Sequence, residues 1–292
     1  MLKFYMYRIK VERHANQPLF PPPYKPSREL ISRAISENPS AIFRDSQEWL
    51  IGNVERPDDN HLLFAFGKIT KSISEKYDKE QMKFTDVAEE KAPYTYIAID
   101  LNLQTCAIGH KSKIASDVRT LSKRFMSVLN KTHTAAEFDV TFVLSEIHDT
   151  QEFIKVIRAA EVIKKFEVTF SPPNPFDADN DFHKPLENIL AALTGKKGKL
   201  ITNGENLDKK VIEQTVKSIA STGDSATVRL KLPGAVKFVS RKMSGHQVSI
   251  IIGSSTEGIR EDIRARLLPE LATQYRNIRG DVSEQSSDSN TP

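Results

Sequence analysis

The stretch from Ala226 to Gly253 alternates between apolar and polar residues, and this alternation constrains the fold more than any other feature of the chain. Because successive side chains of a strand point to opposite faces, the pattern predicts three short strands with one buried and one solvated face. Turns are predicted at Pro233-Gly234 and Ser244-Gly245, since proline presets φ and glycine tolerates positive φ. The apolar members of the pattern are Val228, Leu230, Leu232, Val236, Phe238, Val248, Ile250 and Ile252.

The polar face of this predicted sheet is rich in lysine and arginine. A second lysine cluster lies upstream in AALTGKKGKL, where two glycines let the backbone approach a phosphate, although their spacing is not that of a nucleotide-binding loop. We therefore predict a surface that binds the phosphates of a nucleic acid. The alternative is a solvated turn and a solvated sheet face. The predicted nucleic-acid-binding residues are Lys196, Lys197, Lys199, Arg229, Lys231, Lys237, Arg241 and Lys242.

Charge is segregated along the chain, whose formal net charge is only +4. Residues 182–280 contain 17 lysines and arginines against 9 acidic residues, whereas residues 135–181 contain 4 against 10. Such asymmetry bears on the partners of a protein, not on its fold. A basic second half favours a polyanionic partner, with double-stranded DNA as the first candidate. Solvated faces that cluster by chance are the competing interpretation.

At 292 residues, the chain exceeds the usual size of one compact core, so two domains are expected. We predict an α+β fold of two mixed lobes with largely antiparallel sheets. The expected units are an N-terminal domain (residues 1–134), a C-terminal domain with the basic sheet (135–280) and a disordered tail (281–292), which has almost nothing to bury. The strands expected in the first half are Leu2–Glu12, Glu48–Val54, Leu62–Ile69, Tyr94–Leu101 and Thr105–His110, of which the last two should form a hairpin.

The second half opens with a strand, a helix and a strand, predicted at Phe138–Leu144, Thr150–Lys164 and Phe166–Ser171. This arrangement has the size of a βαβ or split βαβ unit. Near the end, Thr256–Tyr275 predicts a long helix that Pro269 should kink or divide.

Cysteine and hydropathy narrow the possible classes of protein. The single cysteine, Cys106, excludes an intramolecular disulfide and a cysteine zinc cluster, and it suits a buried position in a cytoplasmic protein. The apolar runs are far shorter than the roughly 18 residues of a membrane span, and no secretory signal is visible. We expect no catalytic residue, no metal site, no cofactor and no membrane insertion.

Two alternatives to non-enzymatic nucleic-acid binding remain open. A metal-dependent nuclease could use Asp100, on a strand followed by a hairpin, together with Glu146 or Asp149 and with Glu257 or Glu261. The structural explanation for Asp100 is that its side chain bonds turn amides. A protein-interaction module without nucleic acid would instead use the acidic segment.

One segment resembles a known family. The sequence EFIKVIRAAEVIKKFEVTFSP (Glu152–Pro172) resembles the helix-to-strand segment of the RexA family, cytoplasmic components of a phage-exclusion system. The downstream helix at Leu207–Ala220 and the hairpin at Tyr94–His110 are similar in order. The resemblance implies DNA binding with little sequence preference, self-association and a role in phage defence, and no catalytic residue is carried over. We expect a homo-oligomer, with a homodimer as the first candidate. The proline-rich start and the acidic linker depart from the family pattern.

Overall fold

The computed structural model contains two antiparallel sheets with helices packed on them, which confirms the α+β class. It describes residues 1–13, 23–43, 47–170, 183–193, 195, 197–253 and 259–279. The expected disordered tail, residues 281–292, lies outside the described residues. Among the residues described, no helix combines the length and apolar composition that a membrane crossing requires.

The elements are numbered in chain order. The strands are β1 (Leu2–Arg13), β2 (Ser40–Ile42), β3 (Glu48–Asp58), β4 (His61–Asp78), β5 (Lys83–Lys91), β6 (Tyr94–Asp100), β7 (Thr105–His110), β8 (Val140–Glu146), β9 (Val162–Phe170), β10 (Gly198–Asn203), β11 (Ser225–Lys231), β12 (Val239–Lys242) and β13 (Ser249–Ile252). The helices are α1 (Ser27–Ser36), α2 (Val118–Leu129), α3 (His133–Glu137), α4 (Gln151–Ala159), α5 (His183–Ala192), α6 (Lys209–Thr222), α7 (Ile259–Asp262) and α8 (Leu268–Arg279).

The first sheet is built around β1 and has the order β13-β1-β7-β6-β4-β3-β2, with β8 also paired to β1 and β5 to β4. Both faces of β1 are covered. Tyr7 and Ile9 pack with α1 and α2, whereas Phe4 and Met6 pack with the C-terminal helix. Because the strand is buried on two sides, its burial does not alternate in the middle: all five residues from Met6 to Lys10 are buried, including the charged Arg8 and Lys10.

The second sheet has the order β10-β9-β11-β12, and the described residues form an apolar core on one of its faces. Phe166, Val168 and Val228 on the inner face pack against α4 and α6. Asp208 begins α6 by accepting hydrogen bonds from the backbone amides of Lys210 and Val211. The helix ends at Gly223, whose φ of 73° lies in the left-handed region that glycine tolerates.

The predicted three-strand sheet at Ala226–Gly253 is wrong in two respects. Residues 236–238 lie in the loop between β11 and β12 and are not a strand. β13 does not follow β12 in the same sheet: it pairs with β1, with Ile250 opposite Phe4. The predicted βαβ unit is also wrong, because β8 belongs to the first sheet and β9 to the second.

A buried ion pair joins the two sheets. The Lys10 Nζ on β1 lies 3.4 Å from the Asp224 Oδ1, beyond the end of α6, and the two side chains are 3% and 6% exposed. Next to it, Gly223 packs so closely on Ser145 of β8 that a Cβ at this position would collide with the serine side chain. The expected domain boundary near Thr134 stays a prediction, and β8 and β13, both on its C-terminal side, pair with β1.

The C-terminal helix is divided, as the position of Pro269 predicts. α7 and α8 are separated by one π-helical stretch, Ile263–Leu267, which ends two residues before Pro269. Proline lacks the amide that an α-helix would use at this point, and its ring clashes with the carbonyl four residues earlier, which lies within the π-helical stretch. α8 then packs on the first sheet, where the Tyr275 hydroxyl accepts a 2.8 Å hydrogen bond from the buried Arg8.

Candidate nucleic-acid interface

The outer face of the second sheet, here called the basic face, is defined by the side chains that alternate with the buried ones. Cross-strand register arranges these side chains in rows, with Asn203, Lys165, Arg229 and Ser240 in one row. The strands lie about 4.8 Å apart, so neighbours within a row are close. The members of the basic face are Lys165, Glu167, Thr169, Lys199, Ile201, Asn203, Ser225, Thr227, Arg229, Lys231, Ser240 and Lys242.

The centre of the basic face places two cations directly opposite each other. Lys165 on β9 faces Arg229 on β11, and the register shifts immediately beyond this pair, where Lys164 is the extra residue of a β-bulge. The Lys164 ammonium lies 5.3 Å from the centre of the Phe238 ring in the next loop. Like charges directly opposite on neighbouring strands are destabilising, and an anion bound between them would relieve the repulsion.

Glu167 is the one acidic residue among the twelve members of the basic face. The Glu167 carboxylate is 2.8 Å from the Lys199 Nζ and 3.1 Å from the Lys165 Nζ. The hydrogen bonds from Lys199 and Lys165 hold the pKa of the Glu167 carboxyl below its usual range. Glu167 therefore stays charged at neutral pH and fixes the two ammonium groups on the same side of the sheet.

Two other cations of the basic face have no acidic partner within the described part of the chain. Arg229 and Lys242 are both exposed, and neither forms an ion pair there, whereas Lys231 lies 3.4 Å from Glu161. Exposed cations without carboxylate partners are free to contact phosphates without first breaking an ion pair. They are the strongest candidates for direct contacts.

The structure brings together four of the eight predicted site residues. Lys199, Arg229, Lys231 and Lys242 share the basic face, and Lys197 is exposed just before β10. Lys196 lies outside the described residues.

For two other predicted residues, Lys237 and Arg241, the expected placement on this sheet face is wrong, while their role in binding stays a prediction. Lys237 lies in the loop between β11 and β12, because the strand predicted there does not form. Arg241 pairs with Val228, whose side chain points to the buried face, so Arg241 is on the opposite side of the sheet from Lys242.

Sequence reasoning missed Lys165 as a site residue. The sequence does indicate that Lys165 lies on a solvated strand face, because polar and apolar residues alternate from Lys165 to Phe170. Lys165 forms part of the same surface as Arg229 only through pairing between strands more than 60 residues apart.

The basic face offers no platform for stacking. None of its twelve members is aromatic, and the remaining side chains are mostly hydroxyl and amide groups that can donate hydrogen bonds to phosphate oxygens. Proteins that hold single strands combine a basic groove with aromatic side chains. The twelve side chains of the basic face can therefore contact phosphates but cannot stack on bases.

The Asp100 carboxylate binds turn amides, which is the structural explanation given above as the alternative to metal binding. Its Oδ1 accepts hydrogen bonds from the backbone amides of Asn102 and Leu103, at 2.9 and 2.8 Å, and so closes the turn of the β6–β7 hairpin. The Glu146 carboxylate forms an ion pair with Arg119, whose Nε lies 2.8 Å from the Glu146 Oε1. No group of three or more potential metal ligands occurs among the described residues, and Glu257 lies outside them.

Cys106 is fully buried in the first sheet, and burial raises the pKa of its thiol. The prediction that it packs as a small apolar residue is confirmed.

A polar cleft of about 390 Å³ lies where α4, α8 and the segment before β13 meet. It contains no lysine or arginine, so it does not extend the basic face. Its lining residues are Asp149, Thr150, Gln151, His246, Gln247, Val248, Ser249, Gln274, Asn277 and Ile278.

Comparison of the chain with protein-family models and with curated proteins finds no match.

Proposed function

We propose that this protein is a non-enzymatic nucleic-acid-binding protein that contacts the phosphates of double-stranded DNA through its basic face. The observation that carries the proposal is the cross-strand pair of Lys165 and Arg229, with Lys199 and Lys242 on the same face. Cations opposite each other on neighbouring strands repel, Glu167 pairs among the described residues only with Lys165 and Lys199, and further anions bound at the face would relieve the remaining repulsion. Phosphate groups of a duplex supply such anions at regular spacing.

Contacts of this kind position a protein on DNA but do not read its sequence. Lysine and arginine on phosphates give an affinity that falls steeply with salt and depends little on base sequence. The short hydroxyl side chains Ser225, Thr227 and Ser240 add donors for phosphate oxygens, but they do not extend far from the sheet. The proposed binding is therefore tolerant of sequence.

The resemblance of Glu152–Pro172 to the RexA family supports placing this activity in phage exclusion. We propose this as the biological context, with the protein acting in the cytoplasm, where a chain with one buried cysteine needs no disulfide. DNA binding with little sequence preference is the property that the resemblance and the basic face both support.

The test compares two neighbouring residues on one strand that point to opposite sides of the second sheet. Lys242→Ala removes a cation of the basic face, so the Kd for a short DNA duplex should rise about tenfold near 0.1 M salt, with a salt slope reduced by about 0.9. Arg241→Ala removes the same charge from the other side and should change the Kd less than about twofold. Fluorescence anisotropy titrations at two salt concentrations measure both effects.

A second titration compares the affinity of the protein for three kinds of nucleic acid. Duplex DNA should bind more tightly than single-stranded DNA or duplex RNA of equal length. Tighter binding of duplex RNA would overturn the assignment to DNA while leaving the basic face in place. If the wild-type protein binds none of the three, the proposed function is wrong.

A further inference from the structure

The hairpin of β4 and β5 extends well beyond the first sheet. The pairing of β4 with β6 continues in the same register into β5, from Gly67 opposite Tyr94 to Asp78 opposite Lys83. β3 accompanies β4 only as far as Ile69. Nine residue pairs, Thr70–Asp78 with Lys83–Lys91, therefore form a two-stranded arm about 30 Å long.

The arm is mostly polar in sequence, but it exposes several large apolar side chains. Ile73 is 74% exposed and Phe84 is 83% exposed. The Tyr77 and Phe84 rings lie on the same face of the arm, and their centres are 5.0 Å apart. A two-stranded ribbon is at best marginally stable in water unless something packs on it or adds a strand. An exposed strand edge is also a ready template for pairing with another chain.

Backbone directions show which groups face the outer edge of β4, the edge turned away from β5. The amide of Lys68 donates to the Pro93 carbonyl, on the β5–β6 side. Because amide and carbonyl groups alternate in direction along a strand, those of Lys71, Ile73 and Glu75 point to the outer edge. Within the described residues, no strand pairs with this edge beyond Ile69.

We infer that the outer edge of β4 pairs antiparallel with the same edge of a second copy of this chain, in a register centred on Ile73. A twofold axis perpendicular to the ribbon then joins two arms into one four-stranded sheet. This inference goes beyond the proposed function and does not depend on it.

The sequence of the edge is self-complementary in this register. Ile73 faces Ile73 of the second copy, Lys71 faces Glu75 twice, and Ser72 faces Ser74 twice. Opposite charges and apolar pairs directly across an antiparallel pair are stabilising. Shifting the centre to Glu75 would place two carboxylates opposite each other, and centring on Ser74 would place Ile73 against Glu75.

The other edge of the arm does not pair with itself in this way. On β5, a register centred on Asp86 opposes two aspartates, and one centred on Val87 opposes Lys83 to Lys91 twice. Charge complementarity therefore favours the β4 edge. Pairing of β4 in one copy with β5 in the next would not close and would give oligomers larger than a dimer.

The test is a charge exchange across the proposed twofold axis, read out by sedimentation velocity. The wild-type protein should sediment as a dimer, with twice the 32.9 kDa of the chain, at micromolar concentration. Lys71→Glu should raise the dimer Kd at least tenfold, because each new glutamate faces Glu75 of the other copy. Adding Glu75→Lys to this variant should restore the Kd to within about threefold of the wild-type value.

Two more variants complete the test. Ile73→Lys should give a monomer, since it opposes two ammonium groups at the centre of the contact, whereas Val87→Lys, on β5, should leave the dimer intact. A monomeric wild-type protein would overturn the inference. So would an oligomer larger than a dimer, a dimer insensitive to Ile73→Lys, or a double charge exchange that fails to restore association.

Discussion

Replacing Lys165, Lys199, Arg229 and Lys242 together by alanine should weaken binding to a short DNA duplex by more than about 10³-fold near 0.1 M salt. Each phosphate contact contributes about 0.9 to the slope of log affinity against log salt, which corresponds to nearly tenfold in affinity at this concentration. The loss should be similar on unrelated DNA sequences, because phosphate contacts carry no base readout. Anisotropy titrations across a range of salt concentrations measure both the affinity and the slope.

The control for this quadruple variant removes equal charge from another region. Replacing Lys76, Lys79, Lys83 and Lys91 of the arm by alanine should change the duplex affinity less than about threefold. Both variants should keep the wild-type unfolding temperature within a few degrees, since the apolar contacts of the second sheet lie on its other face. Unchanged affinity in a folded quadruple variant would show that the basic face is only solvated, and it would favour the interaction-module hypothesis.

Lys10→Met should lower the free energy of unfolding by about 3–5 kcal/mol, the second large effect that we expect. The change removes the ammonium group that lies 3.4 Å from the buried Asp224 carboxylate, and breaking a buried ion pair by removing one partner has a cost of this size. Urea denaturation followed by circular dichroism measures it. A double variant, Lys10→Met with Asp224→Asn, should recover most of the loss, because it removes both charges. A loss below about 1 kcal/mol in the single variant would show that the pair does not hold the two sheets together.

The same lysine gives a pH dependence with a definite sign. Burial lowers the pKa of the Lys10 ammonium below its ordinary 10.5, and the attraction of Asp224 offsets only part of this effect. Between the lowered folded-state pKa and 10.5, the unfolded chain binds more protons than the folded chain at this site, so the Lys10 contribution to stability rises with pH. The Lys10→Met variant should lack this rise in urea titrations at increasing alkaline pH.

Local periodicity predicted what lies within one strand. In β11, Val228 and Leu230 are buried and Arg229 is exposed, as the alternation requires. The same reasoning failed beyond the loop after β11, because the length of a loop decides which residues of the next strand point to each side of the sheet. That is why Arg241 and Lys242 could not be assigned to the correct sides before the pairing of Arg241 with Val228 was known.

Features that depend on long-range pairing could not be predicted. Ile250 pairs with Phe4, nearly the whole chain away, and nothing near Ile250 in sequence distinguishes this partner from β12. The arm was missed for another reason. Thr70–Lys91 is mostly polar and has no strong strand pattern of its own. It forms strands as a continuation of the register in which β4 pairs with β6.

Acetylation of lysines tests most directly whether the basic face is the DNA-binding surface. The lysines that DNA protects are identified by mass spectrometry of the protein with and without a saturating duplex at low salt. Lys165, Lys199 and Lys242 on the basic face should be protected, while Lys76 and Lys91 on the arm should react equally in both samples. Protection confined to the arm, or no protection of the three sheet lysines under conditions where the duplex is bound, would contradict the assignment of the basic face as the DNA-binding surface.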